Sequence, residues 1–210
     1  MRRLPVYLLL DVSTSMSGEP IAAVNNGIDT LLSSLRQDPH ALETAHLSVI
    51  EFGCSANQTV ELTELMDFEA PELIANGLTS MGASLDLLMD RVNAEVKTSS
   101  AGQRGDWKPL VFLFTDGLAT DDFGAAVSRL DRSKLGTFVA CAAGPHADTS
   151  QMVQLTENIV SLDSLDATSI AAFFKWVSAS VSMSSVKVDA GTETSGLDDL
   201  PPPPPEVRLV

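Results

Sequence analysis

Short runs of uninterrupted apolar residues alternate along this chain with longer stretches whose apolar residues recur at helical spacing. Residues 5–11, "PVYLLLD", are apolar until they stop on an aspartate, the pattern of a strand buried on both faces. Pro20 then suits a first helical turn, and Ile21, Val24, Ile28, Leu31, Leu32 and Leu35 predict a helix ending near Asp38-Pro39. "HLSVIEFG" and "QTVELTEL" predict two strands joined antiparallel through "CSAN". A second helix is predicted over 83–97, with Leu85, Leu88, Met89, Val92 and Val96 on one stripe, followed by the surface loop "KTSSAGQRGD". "PLVFLFTDG" predicts a strand that also ends on an aspartate. A helix in "TDDFGAAVSRLDRS", a strand in "GTFVACAAG", a short helix at 149–156 and a small strand "NIVSL" come next. The last helix, 166–182, starts at a capping Asp166 and carries Ile170, Phe173, Phe174, Val177 and Val181 on its apolar face. From about residue 186 the periodicity stops. The chain therefore divides into a domain, 1–185, and an acidic, proline-rich tail, 186–210, expected to be disordered or extended, whose five prolines favour a polyproline II segment able to dock on a partner.

Strands alternating with helices imply an α/β fold: a doubly wound, mostly parallel sheet with one antiparallel edge strand and helices on both faces. In such sheets ligands bind beyond the carboxyl ends of the strands, and two of those ends are Asp11 and Asp116. With 44% hydrophobic residues among 210, the chain can bury the core of one domain. The formal net charge of −15 excludes sequence-independent binding to nucleic acid or to an anionic bilayer, and suits a cation or a basic surface. No run of about 18 apolar residues is present to span a membrane. The opening "MRRLPVYLLLDVS" is apolar only from Val6 to Leu10, too short for a signal peptide, and reads as the first strand of a cytoplasmic protein. Cys54 and Cys141 fall in predicted strands without C-x-x-C spacing, and are expected to be buried free thiols.

Asp11-Val12-Ser13-Thr14-Ser15 has the form D-x-S-x-S. Alternate residues of an extended turn face one way, so Asp11, Ser13 and Ser15 can converge on a point. A hard cation such as Mg²⁺ takes oxygen ligands and retains waters, which two hydroxyls and a carboxylate allow. Gly18 and Pro20 let the chain turn from that point into the helix. Together with "NGLTSMGASL" and "FLFTDG", this motif resembles the von Willebrand factor A domain family over about residues 4–182. The resemblance implies a Rossmann-like fold with a metal-ion-dependent adhesion site at Asp11, Ser13, Ser15, Thr79 and Asp116, with Gly117 behind the last. It implies hydroxyls that bind the metal directly and aspartates that act through water or hydrogen bonds. The cation, Mg²⁺ with Mn²⁺ or Ca²⁺ as alternatives, then keeps charge enough to take a carboxylate from a protein partner. The opening "RLPVYLLLDVSTSMSGEPI" is similar to that of short bacterial members from tellurium-resistance and stress operons, which implies an operon-encoded phosphatase or kinase-like protein as partner.

The alternative is a metal-dependent phosphohydrolase using Asp11. The second aspartate of a D-x-D phosphotransferase, which would serve as acid and base, is Ser13 here. No P-loop, G-x-G-x-x-G or G-x-S-x-G is present, and His40, His46 and His146 lack a motif. Glu19, Asp121, Asp122, His146 and Asp148 lie near the same strand ends without being ligand candidates, Asp121 and Asp122 reading as helix N-terminal charges. The expectation is a binding module and not an enzyme.

Overall fold

The computed structural model describes residues 2–100, 102, 104–145, 147–192 and 196–210. All eight residues of β1 (Leu4–Asp11) are buried. Its side chains alternate between two cores, Leu4, Val6, Leu8 and Leu10 entering one, Tyr7 and Leu9 the other. The first core is closed by α1 (Glu19–Leu35), α2 (Pro39–Thr44) and α5 (Ala167–Asp189), the second by α3 (Met81–Glu95) and α4 (Phe123–Arg129). β4 (Leu110–Thr115) and β5 (Phe138–Ala143) alternate in the same way, which is why their sequences are apolar at every position but the terminal Thr115. With β2 (Ala45–Phe52), β3 (Ala56–Glu64), β6 (Ile159–Leu162) and β7 (Val207–Leu209) they form one sheet in the order β3-β2-β1-β4-β5-β6-β7. The five inner strands are parallel. The chain leaves β1 for β2 on one side and later returns to β4 on the other. The strand order reverses between β1 and β4, so the two aspartate-ending strands are neighbours.

Local sequence sets the helix starts as expected. Gly18 takes φ +85° to open α1, with Pro20 in its first turn, and the Asp166 carboxylate accepts the Ser169 amide to open α5. α1 and α5 approach closely at Gly27, where a Cβ would stand 2.3 Å from the Phe174 ring. Phe173 in turn meets Phe114 of β4 at 5.3 Å between ring centroids.

The sheet has two antiparallel edges where one was expected. β3 is the predicted one, and β7, paired with β6, comes from the segment expected to be a disordered or extended tail. α5 runs on to Asp189, past the expected boundary at 185, and residues 196–210 return across it. The Trp176 indole donates to the Pro201 carbonyl at 2.8 Å, Lys187 pairs with Asp199 at 2.8 Å, and Leu200 and Val207 are buried. The prolines carry no N–H and can lie on a helix without a ladder partner, so two apolar anchors suffice to hold the segment. The predicted helix at 149–156 is a single 3-10 turn, Met152–Gln154. α2 was not expected; Asp38 opens it by accepting the His40 and Ala41 amides, and Pro39 fits its first turn. Cys141 is buried as expected, whereas Cys54 is exposed in the β2–β3 turn.

Candidate metal centre

Asp11 ends β1 wholly buried, at 0% exposure. Its Oδ1 accepts the Ser13 amide at 2.7 Å and its Oδ2 accepts the Thr115 hydroxyl at 2.5 Å, which ties the turn after β1 to the end of β4. Burial pushes the Asp11 carboxyl above the usual carboxylate range; the bonds from Thr115 and Ser13 oppose that shift and the Asp116 charge adds to it. Above Asp11 the hydroxyls of Ser13 and Ser15 lie 2.9 Å apart, and the Ser15 hydroxyl donates to Asp116 Oδ1 at 2.8 Å. Thr79 precedes α3 and is buried. Its hydroxyl stands 3.9 Å from where a Cβ on Gly117 would be, facing the Asp116-Gly117 turn. The neighbouring Ser80 hydroxyl is taken by the Cys54 carbonyl at 3.0 Å.

These loops hold each other. Thr14 and Gly77 exchange backbone and hydroxyl bonds at 3.0 Å, the Asn76 amide donates to the Val12 carbonyl at 2.6 Å, and the Ser80 amide to the Gly53 carbonyl at 2.9 Å. Gly77 is required there: its φ is +90°, and a Cβ would lie 2.3 Å from Cys54 Sγ. The Thr79 amide donates to the Thr120 hydroxyl at 3.1 Å, and the Thr120 amide returns to the Thr79 carbonyl at 2.9 Å. Asp121 accepts the Gly82 and Ala83 amides at 3.0 and 2.8 Å, so it serves the N-terminus of α3 and not that of α4, which Asp122 caps through Ala125. Asp148 is occupied locally by the Ser150 amide at 2.7 Å. Glu19 is exposed in the first turn of α1, and His146 lies outside the described residues.

Asp11, Ser13, Ser15 and Asp116 are thus joined by hydrogen bonds, with Thr79 set against the turn that carries Asp116. Thr115 and Thr120 are supporting residues that motif reading missed, and Asp121, expected as a helix N-terminal charge, is one at α3. Thr115 sits within "FTDG", but its role follows from the pairing of β1 with β4, which no local pattern states. The donor set is three hydroxyls and two carboxylates, all hard oxygens, and fits a divalent cation that retains waters. Among the described residues no group of three or more His, Cys, Asp or Glu is placed to hold a metal. A cation bound here would therefore depend on hydroxyl ligands. Leu78 and Leu118, 61% and 43% exposed, are the chain neighbours of Thr79 and Gly117.

The family model of the von Willebrand factor type A domain matches residues 6–171. In structure the chain is similar to a von Willebrand factor type A protein from Catenulispora acidiphila, with a TM-score of 0.67, 16% identity, and coverage of 87% of this chain and 43% of that one. It is similar to the pilus adhesin SpaC from Lactobacillus rhamnosus GG, with a TM-score of 0.67, 15% identity, and coverage of 87% and 31%. Proximal thread matrix protein 1 from the mussel byssus, in a form with a zinc-occupied MIDAS motif, aligns with a TM-score of 0.60 at 15% identity over 85% of this chain and 48% of that one. The chain thus spans less than half the length of each of these three structures. No curated protein matches it in sequence.

Proposed function

Since the chain belongs to the von Willebrand factor type A domain family, we propose that it is a metal-dependent protein-interaction module whose centre takes a carboxylate from a partner protein. The observation that carries this reading is the run of hydrogen-bonded oxygens from buried Asp11 through Ser13 and Ser15 to Asp116, at the carboxyl edge of the sheet. A bound cation would supply a Lewis-acidic anchor for the partner's acidic side chain. Ser13, Ser15 and Thr79 would hold it as neutral ligands, and Asp11 and Asp116 would orient those hydroxyls, leaving the cation's charge largely uncompensated. Leu78 and Leu118 would cover the apolar atoms around the partner's carboxylate.

On this reading the protein is not an enzyme. Asp11 has no exposed surface and both its oxygens accept hydrogen bonds, a poor arrangement for a nucleophile that must reach a phosphate ester. Mg²⁺ is the expected ion. The zinc-occupied MIDAS of the mussel protein supports a divalent ion on this fold without selecting among metals. A cytoplasmic role in a tellurium-resistance-like stress response, with an operon-encoded phosphatase or kinase-like protein as partner, is supported by the opening "RLPVYLLLDVSTSMSGEPI". Among the described residues no helix is long and apolar enough to cross a membrane.

Capture from native lysate tests the reading. Immobilised protein should retain a specific partner in Mg²⁺, release it in EDTA, and fail to retain it as the Asp11→Ala variant. Retention unaffected by chelation would refute the metal-dependent module. Metal-stimulated hydrolysis of a generic phosphate ester, lost in Asp11→Ala, would restore the enzyme reading.

A further inference from the structure

The pole opposite Asp11, where the parallel strands begin, gathers basic residues on an otherwise acidic molecule. Segments 2–3, 97–108 and 132–134 carry seven of the thirteen Lys and Arg residues, with Asp106 among them and Glu95 and Asp131 beside them, in a chain of net charge −15. They are neighbours in space: the Arg2 guanidinium donates to the Gly105 carbonyl at 2.7 Å and stacks 3.6 Å over the Trp107 ring, and the Trp107 amide donates to the Arg3 carbonyl at 2.9 Å. Part of this charge is structural. Arg3 pairs with Asp106 at 2.5 Å and bonds the Glu95 carbonyl, Arg132 donates to the Gln154 and Leu155 carbonyls, and Lys134 donates to the Asn93 side chain at 2.6 Å and pairs with Asp131 at 3.9 Å. Lys97, Arg104 and Lys108 have no hydrogen bond or ion pair with their side chains among the described residues.

A cavity of about 360 Å³ opens among these residues, walled by Val92, Val96 and Trp107 and rimmed by Lys97, Lys108 and Lys134. Val96 is also the C-cap of α3, so the negative end of that helix faces the cavity. A small anion would gain little by sinking into it. An apolar side chain can fill the depth while negative groups stay at the mouth with the lysines. We infer that this base is a second docking site, independent of any metal, for an acidic protein segment that inserts an apolar side chain. Its position at the other edge of the sheet leaves the Asp11 centre free, so the protein can bridge two partners or two points on one.

Fluorescence anisotropy with the full chain in EDTA tests the inference, the probe being a labelled peptide Glu-Glu-Leu-Phe-Glu-Glu. Saturable binding that weakens with added salt and is the same in Mg²⁺ as in EDTA is expected. Replacing Leu-Phe in the peptide by Gly-Gly should weaken binding about tenfold or more, as should the protein double variant Lys97→Glu/Lys108→Glu. Both lysines are exposed, so that variant should fold, with a slightly lower melting temperature because the Lys97 charge favours the Asp106 carboxylate. An absence of saturable binding overturns the proposal. So does equal binding of the Gly-Gly peptide, or full binding by a folded double variant. A requirement for Mg²⁺ would assign the peptide to the Asp11 centre instead.

Discussion

Each oxygen of Asp11 is held by a different loop, one by the Ser13 amide that follows β1 and one by the Thr115 hydroxyl at the end of β4. Thr115→Val would keep the shape and remove the donor, leaving Asp11 Oδ2 without a partner in a buried site. Denaturant unfolding should show a loss of about 1–3 kcal/mol, and Mg²⁺ affinity measured by calorimetry should fall with it. Asp106 supports the opposite pole. Burial alone would raise its carboxyl, but Arg3 and the Lys97 amide outweigh burial and hold it below the usual carboxylate range. A depressed acid contributes stability that is fully present above the unfolded pKa of about 3.9. That contribution is lost as the pH falls through the lower folded value. Asp106→Asn should therefore cost about 1–3 kcal/mol in urea unfolding at neutral pH, and the gap to wild type should close as both are titrated to about pH 2. A constant gap across that range would show that geometry, and not charge, sets the contribution. Residue type and order, through the family resemblance, pointed to Asp11, Ser13, Ser15, Thr79 and Asp116. What they do not state is a hydroxyl's direction, which is set by what its neighbours leave open: the Ser80 hydroxyl is taken by the Cys54 carbonyl, and that of Thr79 faces Gly117.

The elements most readable in sequence were those buried on two faces or on one helical stripe: β1, β4, β5, α1, α3 and the first two-thirds of α5. Their signal is the repeat of apolar residues, which burial imposes directly. The short elements carried too little of it. α2 rests on Asp38 and Pro39 more than on any stripe, and residues 149–156 have helical composition but only the packing for one turn. The C-terminal segment misled for another reason. Its composition is that of a disordered chain, yet Trp176, Lys187 and the open edge of β6 give it partners. Deleting residues 196–210 should expose Trp176, which is 3% exposed in the intact chain, and bare the β6 edge. A red shift in tryptophan emission, a lower melting temperature and a greater tendency to aggregate are the expected results. Unchanged emission and melting would mean that the segment lies on the surface without stabilising it.

At the scale of the whole molecule, the proposed cation should act on stability as well as on binding. An ion that binds only the folded state stabilises it by about 2.7 kcal/mol at a concentration one hundred times its Kd. The melting temperature should accordingly rise with Mg²⁺, return in EDTA, and fail to respond in Asp11→Ala. A wild-type melt indifferent to every divalent ion would remove the metal from the account. The alternation of strand and helix, the two carboxylates at strand ends and the D-x-S-x-S turn were determined by the sequence alone. Burial and backbone geometry write such features over a few consecutive residues. Only the tertiary structure decided that Ser15 meets Asp116 across 101 residues and that Thr115 reaches Asp11 across 104. It also decided that Asp121 caps a helix other than its neighbour, that the acidic tail becomes an edge strand, and that scattered lysines and arginines gather at one pole. Those contacts follow from strand order and from which loops share an edge of the sheet, and these are properties of the packed whole, with no periodicity of their own to read along the chain.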